Sequence, residues 1–142
     1  GALFFSNNQN QFFSLDMQTG NVNWQQEINS NIRPTVVNNF IFTVSLEGYL
    51  IILEKNSGNI VRINDVFKKF KTKKISNIKP TGFIVGTKNI YLSTDNGRLL
   101  VINTNTGTTE SVLKIDNKKI SRPTIVNKNL YVISNNSIIK LN

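Results

Sequence analysis

Five lysines crowd the stretch KKFKTKK (68–74), around Phe67 and Phe70: Lys68, Lys69, Lys71, Lys73 and Lys74. Three further cations, Arg33, Lys79 and Arg122, each stand immediately before a Pro-Thr pair. Both sets have the chemistry of anion recognition: an acidic protein surface, lipid headgroups or a phosphate backbone. Neither set can run acid–base or nucleophilic catalysis by itself, since a lysine needs an unusual environment to lose its proton near neutrality. The ordinary alternative for the lysine run is a solvated loop whose two Phe residues tuck against the protein, and that reading is preferred. For Arg33, Lys79 and Arg122 it is solvation at a strand start and pairing with nearby carboxylates.

What the chain lacks narrows the chemistry further. There is no Cys and no His among 142 residues, which removes disulfides, thiol chemistry, Cys/His zinc sites and His-based proton transfer. Asp16, Glu54, Asp95 and Asp116 are scattered and show no calcium-loop spacing. No cofactor or metal is expected. The glycines do not form a phosphate-binding loop ahead of a helix.

The net charge of +9 raises nucleic acid as a partner, but the distribution argues against it. The stretch from Asp65 to Lys79 has six Lys against one Asp, and 23 Asn, 18 Ile and 13 Lys together point to an AT-rich coding sequence. No apolar run is long enough to span a membrane, and none resembles a secretion signal.

The cations are placed by a repeat. RPTVVNNFIFTVS (33–45), KPTGFIVGTKNIYLS (79–93) and RPTIVNKNLYVIS (122–134) contain all three prolines of the chain. Each phrase leads through an apolar run to a polar turn at Gly48, Gly97 or Asn135-Asn136, and then to a second apolar run. A glycine turn follows in EKNSG (54–58) and NTNTG (103–107), and after it a last strand. The N-terminus enters the same pattern at its second strand, with Asn10 at the Gly48 position and DMQTG (16–20) as the glycine turn. Asp16, Glu54, Asn103 and Asn142 are then equivalent, at intervals of 38, 49 and 39 residues. Four short strands per unit of about forty residues predict β-propeller blades.

The expected fold is therefore all-β, a partial β-propeller of about three and a half four-stranded antiparallel blades. The units are 3–31, 32–73, 74–118 and 119–142. Continuously apolar runs such as YLIIL (49–53) suit strands covered on both faces. Proline fixes φ and lacks a donor, so each Pro-Thr should begin the innermost, edge strand of its blade. The turn glycines supply positive φ.

FFSLDMQTGNVNW and GYLIILEKNSGNIV resemble the pyrroloquinoline-quinone-like (PQQ-like) repeat, whose units follow the form lyaLdakTGkvlW. The likeness runs along the whole chain. It weakens in later units, where Arg62 and Ser111 stand at the position of Trp24. It implies that Trp24 docks adjacent blades rather than stacking a ligand.

Within that family the layout is similar to the C-terminal half of the lipoproteins that assist outer-membrane β-barrel assembly. This implies a non-catalytic scaffold in the periplasm, associated with the outer membrane through an anchor outside this chain. The implied partner is the central barrel protein of the assembly complex; nucleic acid is not expected. Quinone-dependent dehydrogenases use the same repeat, but with a vicinal Cys pair, stacked Trp and acidic calcium ligands, which these residues do not supply. Sensor ectodomains with PQQ-like repeats are a third possibility. Three and a half blades cannot close a ring, so the chain is expected to be part of a larger propeller, or two copies to cover each other's open faces.

Overall fold

The computed structural model describes residues 1–71 and 76–141. These form fourteen strands in four antiparallel sheets, with no helix among the described residues. The chain divides into two compact units, Gly1–Asn64 and Asp65–Asn142, each containing two sheets.

In the first unit β1 (Ala2–Asn7), β2 (Gln11–Asp16) and β3 (Val22–Gln26) pair in the order β1-β2-β3. The second sheet runs β4 (Thr35–Val37), β5 (Phe40–Val44), β6 (Tyr49–Glu54) and β7 (Ile60–Asp65), again in chain order. Residues of the two sheets meet in one core: Phe12 and Ile28 pack with Ile41, Ile51 and Leu53, and Phe4 and Trp24 lie against them. Strand β6 is buried over Leu50–Leu53, as its unbroken apolar run requires.

The second unit repeats the scheme. β8 (Pro80–Val85), β9 (Asn89–Thr94), β10 (Arg98–Asn103) and β11 (Thr109–Lys114) form a four-stranded sheet. β12 (Thr124–Val126), β13 (Asn129–Ser134) and β14 (Ser137–Leu141) form a three-stranded one. Phe67, Phe83, Ile90, Leu92, Leu99 and Ile102 are fully buried.

Each proline stands at the start of an edge strand. Pro34 and Pro123 immediately precede β4 and β12, and Pro80 opens β8. In these places the absent N–H breaks no ladder bond that the sheet needs.

The glycine turns are one structure made three times. The N–H of Gly20, Gly58 and Gly107 donates to the carbonyl of Asp16, Glu54 and Asn103, at 2.9, 2.9 and 2.8 Å. All three glycines have φ near +70°. The residue opening each turn also accepts from within it: Asp16 from the N–H of Gln18 and Thr19, Glu54 from the Ser57 hydroxyl, and Asn103 from the N–H of Asn105 and Thr106. Asn10 takes φ +61° at the position filled by Gly48 and Gly97, and Asn135-Asn136 take +50° and +64°. Asn tolerates the left-handed region better than most side chains, which makes it a workable substitute in a tight hairpin.

Candidate functional site

The lysine loop begins where β7 ends. Phe67 is fully buried and meets Phe70 edge-on, with ring centroids 5.3 Å apart. The Thr109 hydroxyl donates to the Val66 carbonyl at 2.9 Å, and Lys69 Nζ to the Glu110 carbonyl at 2.6 Å. The loop is thus clamped to β11 through an aromatic anchor and two hydrogen bonds. Lys68 and Lys71 remain exposed. Lys73 and Lys74 lie outside the described residues.

Arg33, Lys79 and Arg122 are exposed at the starts of β4, β8 and β12, the last two within one unit. Lys79 is tied through its backbone: its N–H donates to Asp95 Oδ1, and its carbonyl accepts from the Asp95 N–H, both at 2.9 Å. Arg122 is held through its side chain, with Nε donating to the Phe83 carbonyl at 3.0 Å. Its stem lies on Gly82, where a Cβ would come within 2.7 Å of Arg122 Cγ. Arg122 therefore works partly as a clasp between β8 and β12, which its place in the repeat did not disclose.

Trp24 is a packing residue. Its ring stacks on Phe12 at 5.8 Å with planes 2° apart and on Phe4 at 5.9 Å, and Nε1 donates to the Lys55 carbonyl at 3.0 Å.

Asp116, which had no assigned role in the sequence, gathers several partners. Its carboxylate accepts from the Ser134 hydroxyl and from the Asn117 N–H, and its carbonyl accepts from Arg98 Nη1 at 2.8 Å. The Ser134 bond, then the Asn117 bond, hold its carboxyl below the usual carboxylate range. Asp16 is lowered too, by the N–H groups of Thr19 and Gln18 and by the Thr19 hydroxyl. A carboxylate with a depressed native pKa stabilises the fold above its unfolded pKa, and that stability is lost as pH falls through the native value. Urea midpoints should therefore decline from about pH 5 downward. The decline should be shallower in Asp116→Asn; an identical acid profile in the variant would remove Asp116 from this role.

The described residues of these loops include exposed cations. Among the described residues no three carboxylates gather in a metal-binding group.

Residues 1–64 match the family model described as outer membrane protein assembly factor BamB. No curated protein sequence matches the chain. Among solved structures, BamB from Moraxella catarrhalis is similar with a TM-score of 0.75 and 18% identity, covering 98% of this chain and 39% of that one. The computationally designed Ika4 protein gives 0.71 at 8% identity, covering 99% of this chain and 84% of its own. The β-propeller domain of Cps50 (Swd1) from Myceliophteria thermophila gives 0.68 at 13%, covering 94% and 46%. This chain thus spans well under half the length of the BamB it resembles. At such identities the structural likeness speaks for the fold, a partial β-propeller.

Proposed function

We propose that this chain, a PQQ-like β-propeller related to BamB, is part of a non-catalytic protein-interaction scaffold for outer-membrane β-barrel assembly. The match of residues 1–64 to the BamB family model is the observation that carries this reading. The physical arrangement supports it: rigid sheets hold short loops in fixed positions, which suits recognition of another protein. The setting is the periplasmic side of the outer membrane, and the partner is the central barrel protein of the assembly complex, through its periplasmic repeats. Lys68, Lys69, Lys71, Lys73 and Lys74, with Arg33, Lys79 and Arg122, are the proposed contacts to acidic surface on that partner. Charges at an interface rim act mainly on association rate and salt dependence.

The test is binding of purified periplasmic repeats of the barrel protein to this chain, followed by biolayer interferometry. Saturable binding is expected, weakening with added salt. Joint Lys68→Glu, Lys69→Glu and Lys71→Glu substitution should lower affinity roughly tenfold, equivalent to about 1.4 kcal/mol. Absence of any binding, with the chain folded, would defeat the scaffold reading. Unchanged binding in the triple variant would remove only the lysine loop from it.

A further inference from the structure

The β1–β2 turn, the β5–β6 turn and the segment joining β3 to β4 border a groove of about 360 Å³ in the first unit. The two sheets beside it pack on each other through Phe12, Ile41 and Leu53, so the groove belongs to a join that this chain makes by itself. Its apolar lining includes Ile51 from that core and two side chains open to solvent, Tyr49 at 42% and Ile63 at 55%. Glu27 and Glu47, both exposed, bring the charge.

The sign of that charge is unusual for this molecule. The chain has 17 basic residues against 8 acidic ones, yet no Lys or Arg is among the described residues that line the groove. Asn29 adds an unmet acceptor: its Nδ2 donates to Glu47 Oε1 at 3.0 Å, while its Oδ1 is buried without a hydrogen-bond partner. Leaving a buried acceptor unpaired is costly, so the amide gains by turning toward a donor that enters. A metal ion is a poor match, since no three metal-ligating side chains gather among the described residues. An organic cation on an apolar stem meets every feature: carboxylates, an amide oxygen, an aromatic ring and aliphatic walls. The repeat holds such a group in the equivalent turn of the second unit. There Arg98 stands at the Tyr49 position, half-buried, with Nη1 donating to the carbonyls of Asn96 and Asp116 at 2.9 and 2.8 Å.

We infer that the groove receives an arginine side chain presented by a partner protein. Its stem lies along Tyr49 and Ile63, and its guanidinium meets the Glu27 and Glu47 carboxylates and the Asn29 amide. Arginine suits the place better than lysine, because its planar fork of donors serves several acceptors at once and stacks on an aromatic ring. Salt weakens the contact, as it does any attraction between charges that water still reaches. The inference rests on the groove alone, so it stands unchanged if the barrel protein's periplasmic repeats do not bind this chain.

Titration of the isotope-labelled chain with N-acetyl-arginine amide, followed by two-dimensional amide NMR, tests this. Saturable shifts are expected, clustered at Glu27, Asn29, Glu47 and Tyr49. N-acetyl-lysine amide should bind more weakly, and the uncharged N-acetyl-norleucine amide not measurably. Joint Glu27→Gln and Glu47→Gln substitution should lower the affinity for the arginine probe roughly tenfold. Gln keeps an oxygen for the Asn29 amide, so the fold should be undisturbed. If the spectrum of that variant changes beyond the groove, Ile63→Ala replaces it; shortening this exposed side chain should also weaken binding. Shifts that are absent, or spread evenly over carboxylates elsewhere, overturn the inference. So do equal binding of the norleucine probe, which would make the groove merely apolar, and calcium chloride moving the same amides more strongly. Unchanged affinity in the variant overturns it as well.

Discussion

Trp24→Ala is expected to cost the first unit about 3 kcal/mol, near the lower end for removing a large buried aromatic because the ring is only partly buried. The loss has three parts. The parallel stack on Phe12 and the looser one on Phe4 both disappear. The Lys55 carbonyl forfeits its indole donor. The space over Gly58, where a Cβ would come within 2.6 Å of the indole Cε3, is left without a filling group. Trp24→Phe keeps most of the stacking and loses the hydrogen bond, so about 1–2 kcal/mol is expected. Urea unfolding followed by circular dichroism reads both, since the chain has no second Trp to report by fluorescence. A Trp24→Ala change within about 0.5 kcal/mol of the parent would mean that the indole covers a surface without joining its core.

The same residue shows why parts of this fold were legible in the sequence. Trp24, the prolines and the turn glycines each answer a demand that few residue types can meet: a broad stacking surface, a fixed φ at an edge, a positive φ. For the prolines and glycines such demands leave their mark at a constant offset in the repeats that carry them, whereas the Trp24 position is Arg62 and Ser111 in later repeats. The Asn residues at positions 10, 135 and 136 follow the same logic, since they serve where glycine is absent. The apolar runs were equally readable, because strands covered on both sides admit little else.

Contacts between distant residues left no comparable mark. Nothing in the local sequence of Asp116 announces Ser134, eighteen positions on; the bond joins the segment after β11 to the end of β13, a strand of a different sheet. The lysine run was visible as composition. That Lys69 is tied to the Glu110 carbonyl while Lys68 and Lys71 face solvent depends on how Phe67 seats the loop. Arg122 makes the point again: its place before a proline suggested a solvated strand start, and it is exposed there, but nothing local announces that its Nε also binds a carbonyl 39 residues away.

Gly97→Ala is expected to destabilise the second unit by about 3 kcal/mol, and Gly20→Ala the first by only about 1 kcal/mol. The two glycines have nearly the same backbone, φ +76° and +74°, so the conformational cost of adding a Cβ is common to both. Their surroundings differ. A Cβ at Gly20 meets nothing within 4 Å. At Gly97 it would lie 2.6 Å from the Lys118 carbonyl oxygen and closer still to that of Asp116. These are backbone atoms held in place. The Gly97 carbonyl accepts from the N–H of Ile115 and Asp116, at 2.9 and 3.1 Å, and the Asp116 carbonyl is engaged by Arg98. Relief therefore requires the 115–118 segment to move and give up those bonds. Gly97→Asn separates the two contributions, because Asn accepts the positive φ at lower cost but keeps the Cβ. It should remain destabilised by about 2 kcal/mol. Urea midpoints of the three variants decide the matter: equal losses at Gly97 and Gly20 would show that backbone conformation alone limits the turn, and the close approach of Asp116 would be without energetic consequence.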